Sequence, residues 1–106
     1  MIKQITVNEL QQWQNENKSF QLIDVREPHE KEIADIGGEL IPLGTVPYEL
    51  DKINKDTTVV VYCRSGKRSG EAVNFIETKL GLQEVYNLEG GILAWSDKID
   101  QSITKY

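Results

Sequence analysis

The chain has 106 residues, of which 39% are hydrophobic and 27% charged, with 12 basic and 17 acidic side chains and a net charge of −5. That composition fits one compact domain over residues 1–106 with an adequate core and no disulfide staples, and its acidic balance argues against nucleic-acid binding. One Cys and one His exclude an internal disulfide and a four-ligand Cys/His zinc site, and no apolar run resembles a signal peptide or a membrane span, so a cytoplasmic protein with no metal, cofactor or membrane partner is expected.

Short apolar segments alternate with helical patterns along the chain, which predicts an α/β fold. Ile2 to Ile5 reads as an edge strand, and Thr6 as the cap of a helix in which Leu10 and Trp13 share a face. Phe20 to Val25 is a second strand, Pro28 fits the first turn of a short helix, and Glu39 to Ile41 is a weaker strand. A loop from Pro42 to Pro47 leads to a short helical segment through Leu50 and Ile53. Thr57 to Val61 with Tyr62 has no polar alternation, as expected of a central parallel strand buried on both faces. A helical pattern begins at Ser69, carries Ala72, Val73, Ile76 and Leu80 as its apolar stripe, and stops at Gly81. Glu84 to Asn87 is the last strand; Gly90 and Gly91 open a final helix with Ile92, Trp95 and Ile99, followed by a polar tail from Gln101 to Tyr106 that is expected to fray.

Cys63, the only cysteine, stands where the central strand gives way to Arg64-Ser65-Gly66-Lys67-Arg68-Ser69. Ligands of open α/β sheets bind beyond the carboxyl ends of the strands. Three cations, Arg64, Lys67 and Arg68, surround one thiol there, and the unpaired N–H groups of the following helix favour both a thiolate and a bound anion. The loop is a positive island on an acidic chain, suited to a small anionic substrate. Cys63 is therefore the candidate nucleophile, and Arg64, Ser65, Gly66, Lys67, Arg68 and Ser69 are the candidate substrate-binding residues.

Three segments resemble, in order, the signature regions of the rhodanese family: Leu22-Ile23-Asp24-Val25-Arg26-Glu27-Pro28-His29-Glu30, the Cys63 loop, and Asn87-Leu88-Glu89-Gly90-Gly91-Ile92-Leu93-Ala94-Trp95. The resemblance spans about residues 5–99. It implies a rhodanese-like fold, with a central, mostly parallel five-stranded sheet flanked by helices on both faces. It also implies a sulfurtransferase that moves sulfane sulfur through a persulfide on Cys63, with thiosulfate as a typical donor. Arg64 and Lys67 then attract the anionic donor, and Arg68 shapes the loop and holds the leaving group. Asp24 and Arg26 form a supporting scaffold, read first as a structural ion pair. With no second thiol to resolve the persulfide, the acceptor must be external: cyanide, a small thiol or a sulfur-acceptor protein.

The chain departs from the family pattern at Ala34 to Pro42, where Ala34-Asp35-Ile36-Gly37-Gly38-Glu39-Leu40 replaces a Gly-His-Ile-Pro-Gly-Ala-like sequence; the change bears on partner and donor choice more than on chemistry. Two other readings compete: a noncatalytic rhodanese-like interaction module, and a cysteine phosphatase or arsenate reductase. The Cys-x4-Arg spacing from Cys63 to Arg68 is one residue shorter than the oxyanion-binding loop the second would need. His29 and the run Glu27, Glu30, Lys31, Glu32 read as a solvated helix face, and Trp13 and Trp95 as core anchors.

Overall fold

The computed structural model describes residues 2–106. Five strands, β1 (Lys3–Ile5), β2 (Phe20–Asp24), β3 (Glu39–Leu40), β4 (Thr58–Tyr62) and β5 (Val85–Leu88), form one sheet in the order β1-β5-β4-β2-β3. Every neighbouring pair is parallel. Four helices alternate with the strands: α1 (Val7–Asn15), α2 (Pro28–Ile33), α3 (Lys67–Leu80) and α4 (Gly91–Lys98). Two 3-10 turns, Leu43–Tyr48 and Leu50–Lys52, replace the loop and short helix expected between β3 and β4.

All five residues of β4 are buried, as a central strand covered on both faces requires. Alternation along it divides the core. Val59, Val61 and Cys63 face α3 and its stripe of Ala72, Val73 and Ile76, together with Val46 and Ile53 from the 3-10 region. Val60 and Tyr62 face the opposite side, where Val7 and Leu10 of α1 and Ile92 and Trp95 of α4 close the second core. The helices thus cover both faces of the sheet. Trp95 is buried there, and Trp13 packs edge-on against Tyr86 with ring centroids 5.7 Å apart, so both tryptophans serve the core.

Local signals fix several boundaries. Thr6 and Glu9 make a reciprocal capping box at the start of α1, Pro28 opens α2, and Gly81 closes α3 in the left-handed conformation. Two expectations fail. Helix α3 begins at Lys67 rather than Ser69, because Gly66, at φ 103°, supplies a left-handed N-cap that lets the chain turn straight into the helix. The tail expected to be loose is instead packed at two points: Ile103 and Tyr106 lie against the second core, and Ser96 Oγ donates to the Ile103 carbonyl at 2.6 Å. Among the described residues no helix is long and apolar enough to cross a membrane.

Candidate active site

The Cys63 loop lies beyond the carboxyl end of β4, and the alternation of that strand aims the side chain toward the first turn of α3. Gly66 N–H donates to Cys63 Sγ at 3.1 Å and Ser69 N–H at 3.3 Å. The sulfur therefore does for α3 what an N-cap oxygen normally does, because Gly66 brings no side chain of its own. These two donors and the positive end of a 14-residue helix favour negative charge at Sγ. Ser69 Oγ stands a further 3.3 Å from the sulfur.

The closing signature supports the loop from the other side. Ile92 N–H donates to the Cys63 carbonyl at 2.9 Å and Leu93 N–H to the Arg64 carbonyl at 3.1 Å. Such an approach is open only to glycine at position 91, where an added Cβ would sit 2.5 Å from both of those carbonyl oxygens.

The three loop cations are not equivalent. Arg68 forms a two-point pair with the Glu30 carboxylate, at 2.6 and 2.8 Å. Arg64 donates through Nε and Nη2 to the main-chain oxygen of Tyr106, and its guanidinium lies 5.2 Å from that ring. Lys67 is exposed and, among the described residues, makes no ion pair. Ser65 is exposed as well. Two of the three positive charges expected to face a ligand are thus held by partners from distant parts of the chain.

Glu30 corrects the reading of its neighbourhood. Glu27, His29 and Glu32 are exposed, but Glu30 is only 6% exposed. Its carboxylate also accepts from Tyr106 O–H at 2.7 Å and from Glu27 N–H at 3.0 Å. The Arg68 hydrogen bonds outweigh the opposing effect of burial and hold its pKa down at about 2. The sequence signal for this role was faint: Glu30 falls on the α2 face that also buries Ala34.

Asp24 and Arg26 form the ion pair read from the sequence. Arg26 Nε and Nη2 donate to the two carboxylate oxygens at 2.9 and 2.8 Å, and both residues are fully buried. Burial alone would lower the Arg26 pKa, but hydrogen bonds to Asp24 and Tyr106 reverse the sign and raise it. Tyr62 O–H reaches both the Gly37 carbonyl, at 2.7 Å, and Asp24 Oδ2, at 3.2 Å, which ties the altered 34–42 segment into the same cluster. Arg26 Nη1 donates to the Glu30 carbonyl at 3.2 Å and to Tyr106 Oη at 3.0 Å. The scaffold pair thus reaches the Cys63 loop through Glu30 and Arg68. No group of three or more His, Cys, Asp or Glu side chains suited to a metal ion occurs among the described residues.

A sheet of this order, with a cysteine cradled by main-chain N–H groups beyond its central strand, defines a rhodanese-like domain. The family model for the rhodanese-like domain matches residues 6–98, and the chain belongs to that family. A protein named sulfurtransferase from Allochromatium vinosum is 36% identical over 97 residues, covering 91% of this chain and 90% of that protein. The probable adenylyltransferase/sulfurtransferase MoeZ of Mycobacterium tuberculosis is 37% identical over 105 residues, covering 96% of this chain but 26% of that protein. The chain therefore spans about a quarter of some of the longer relatives it matches. The crystal structure of a rhodanese-like domain protein from Staphylococcus aureus superimposes with a TM-score of 0.83 at 32% identity, covering 99% of each chain.

Proposed function

We propose that this domain is a sulfurtransferase that takes sulfane sulfur from a small anionic donor such as thiosulfate and passes it to a thiophilic acceptor through a persulfide on Cys63. The observation that carries this reading is the placement of Cys63 Sγ against two main-chain N–H donors at the positive end of α3. In the first half-reaction the Cys63 thiolate attacks the outer sulfur of thiosulfate. A sulfur–sulfur bond forms to Sγ, the bond to the sulfonate breaks, and sulfite leaves with the electron pair. In the second, an acceptor nucleophile takes the outer sulfur and the thiolate returns.

Lys67 is the cation best placed to meet the donor, since Arg64 and Arg68 have partners within the chain. Arg68, charge-balanced by Glu30, fixes the loop more than it adds attraction. As the sole cysteine, Cys63 has no intramolecular thiol to resolve its persulfide, so the acceptor is cyanide, a small thiol or a protein nucleophile. Family membership and the sulfurtransferase names of the relatives support the same chemistry.

Intact-protein mass spectrometry after thiosulfate treatment tests the reading. The expected result is one added sulfur on the wild-type chain and none on Cys63→Ser. A wild-type mass that does not change would favour a noncatalytic binding module.

A further inference from the structure

Tyr106 stands where three arginines converge, Arg26 and Arg64 directly and Arg68 through Glu30. Its phenol donates to Glu30 Oε2 at 2.7 Å and accepts from Arg26 Nη1 at 3.0 Å. Its main-chain oxygen accepts from Arg64 Nε and Nη2, and the Arg64 guanidinium lies 5.2 Å from its ring. These anchors differ in depth. Arg26 is fully buried and Glu30 nearly so, which fixes the phenol to the frame of the domain. Arg64 is exposed, and among the described residues its guanidinium makes no ion pair and no other hydrogen bond. The chain just before Tyr106 holds little: Thr104 and Lys105 are exposed, and the pair of Lys105 with Asp97 lies at the surface, where such pairs contribute little. The Tyr106 side chain therefore decides where its own main-chain oxygen sits, and with it where Arg64 points.

We propose that Tyr106 is a positioning residue that sets donor preference: by holding Arg64 against the tail, it weakens the site for doubly charged donors such as thiosulfate more than for singly charged ones. This deepens the sulfur-transfer reading above and rests on it. Arg64 follows Cys63 directly in the chain, so its guanidinium, once released, can turn to an anion at Sγ. While it is held, Lys67 is the one loop cation left without an ion pair or tail contact among the described residues. Donors of either charge react alike. The Cys63 thiolate attacks the outer sulfur, a sulfur–sulfur bond forms to Sγ, and the leaving group departs with the electron pair, as sulfite from thiosulfate or as a sulfinate from an organic thiosulfonate. The two differ by one negative charge on the leaving group, the part of the donor that a free Arg64 would meet.

Tyr106→Ala removes ring and hydroxyl together and so releases Arg64. The first readout needs no sulfur donor: the rate of Cys63 alkylation by iodoacetate, an anion, divided by the rate with iodoacetamide, which is neutral. Both reagents draw on the same thiolate population, so the quotient cancels it and reports the positive charge that a small anion meets at the sulfur. In Tyr106→Ala the quotient is expected to rise about threefold, the scale of one exposed charge contact. In an Arg64→Gln background the same substitution is expected to leave it unchanged. No rise in the first comparison, or an equal rise in both backgrounds, would show that Tyr106 only braces the frame through Glu30 and would overturn the proposal. Should Tyr106→Ala fail to fold, Tyr106→Leu replaces it with the same outcomes, since leucine keeps an apolar contact with the second core but loses the hydroxyl and the aromatic face. A second arm compares kcat/KM for thiosulfate with that for the methanethiosulfonate anion, which carries one charge. Tyr106→Ala is expected to raise the thiosulfate value relative to the other by about twofold, through KM rather than kcat. An unchanged or lowered ratio would also overturn the proposal. If the wild-type chain turns over neither donor, the transferase reading fails, while the alkylation quotient still decides whether Tyr106 keeps Arg64 from the sulfur.

Discussion

Arg68 and Glu30, 38 residues apart in the chain, meet in a two-point ion pair at 2.6 and 2.8 Å beside the Cys63 loop. The pair joins the second residue of α3 to the first turn of α2, so the loop geometry depends on how those two helices sit at the same end of the sheet. A charge that in the sequence looks available to a substrate is instead part of the frame.

Glu30→Gln removes that frame, and its effect carries a pH signature. Because the folded-state pKa is depressed from 4.5 to about 2, chiefly by Arg68, the carboxylate stabilises the fold above the unfolded-state value and that contribution is lost as pH falls through about 2. At neutral pH the substitution is expected to destabilise the domain by roughly 1–3 kcal/mol, the lower end reflecting solvent screening of a partly exposed Arg68. The gap between wild type and variant should narrow from pH 4.5 downward and close near pH 2 in urea unfolding curves. A gap that stays constant over that range would show that the ion pair contributes nothing to stability.

Asp24→Asn leaves the fully buried Arg26 guanidinium without its counter-charge. A loss of roughly 3–5 kcal/mol is expected, since the remaining charge keeps its desolvation penalty. Equilibrium denaturation measures it, and a change below about 1 kcal/mol would mean that Tyr106 and the Glu30 carbonyl already suffice for Arg26.

Gly91→Ala places a Cβ 2.5 Å from two carbonyl oxygens of the Cys63 loop, at a residue whose φ is 60°. We expect roughly 2–4 kcal/mol of destabilisation from left-handed strain and overpacking. Cys63 alkylation should change with it, because the Ile92 and Leu93 N–H groups that hold the loop must move. Thermal unfolding and alkylation run side by side would check the coupling, and a variant stable as wild type would refute the close-packing argument.

Thiosulfate and aryl phosphate separate the competing chemistries. Wild-type protein is expected to convert thiosulfate and cyanide to thiocyanate in a reaction that Cys63→Ser abolishes, while hydrolysing an aryl phosphate no faster than that variant. The argument is the short Cys-x4-Arg loop, with Arg68 already committed to Glu30 and α3 starting at Lys67. Cys63-dependent release of phosphate would promote the phosphatase reading.

Properties set by neighbours in the chain were open to inspection in the sequence. The apolar run of β4, the Thr6 cap, the Gly81 stop and the position of Cys63 at a strand end all follow from periodicity and backbone chemistry over a few residues. The Asp24 and Arg26 pair was legible for the same reason, being two residues apart. Even the α3 start, misplaced by two residues, failed only because glycine serves as either loop or cap. The partners of the loop were of another kind. Glu30 reaches Arg68 over 38 residues, Tyr106 reaches Glu30 over 76, and Asn87 reaches Ser69 over 18. Those contacts exist because parallel register sets the ends of β2, β4 and β5 side by side and the tail folds back over them. A charge or an amide looks the same in the sequence whether it faces water or another side chain; the packing of the sheet decided which.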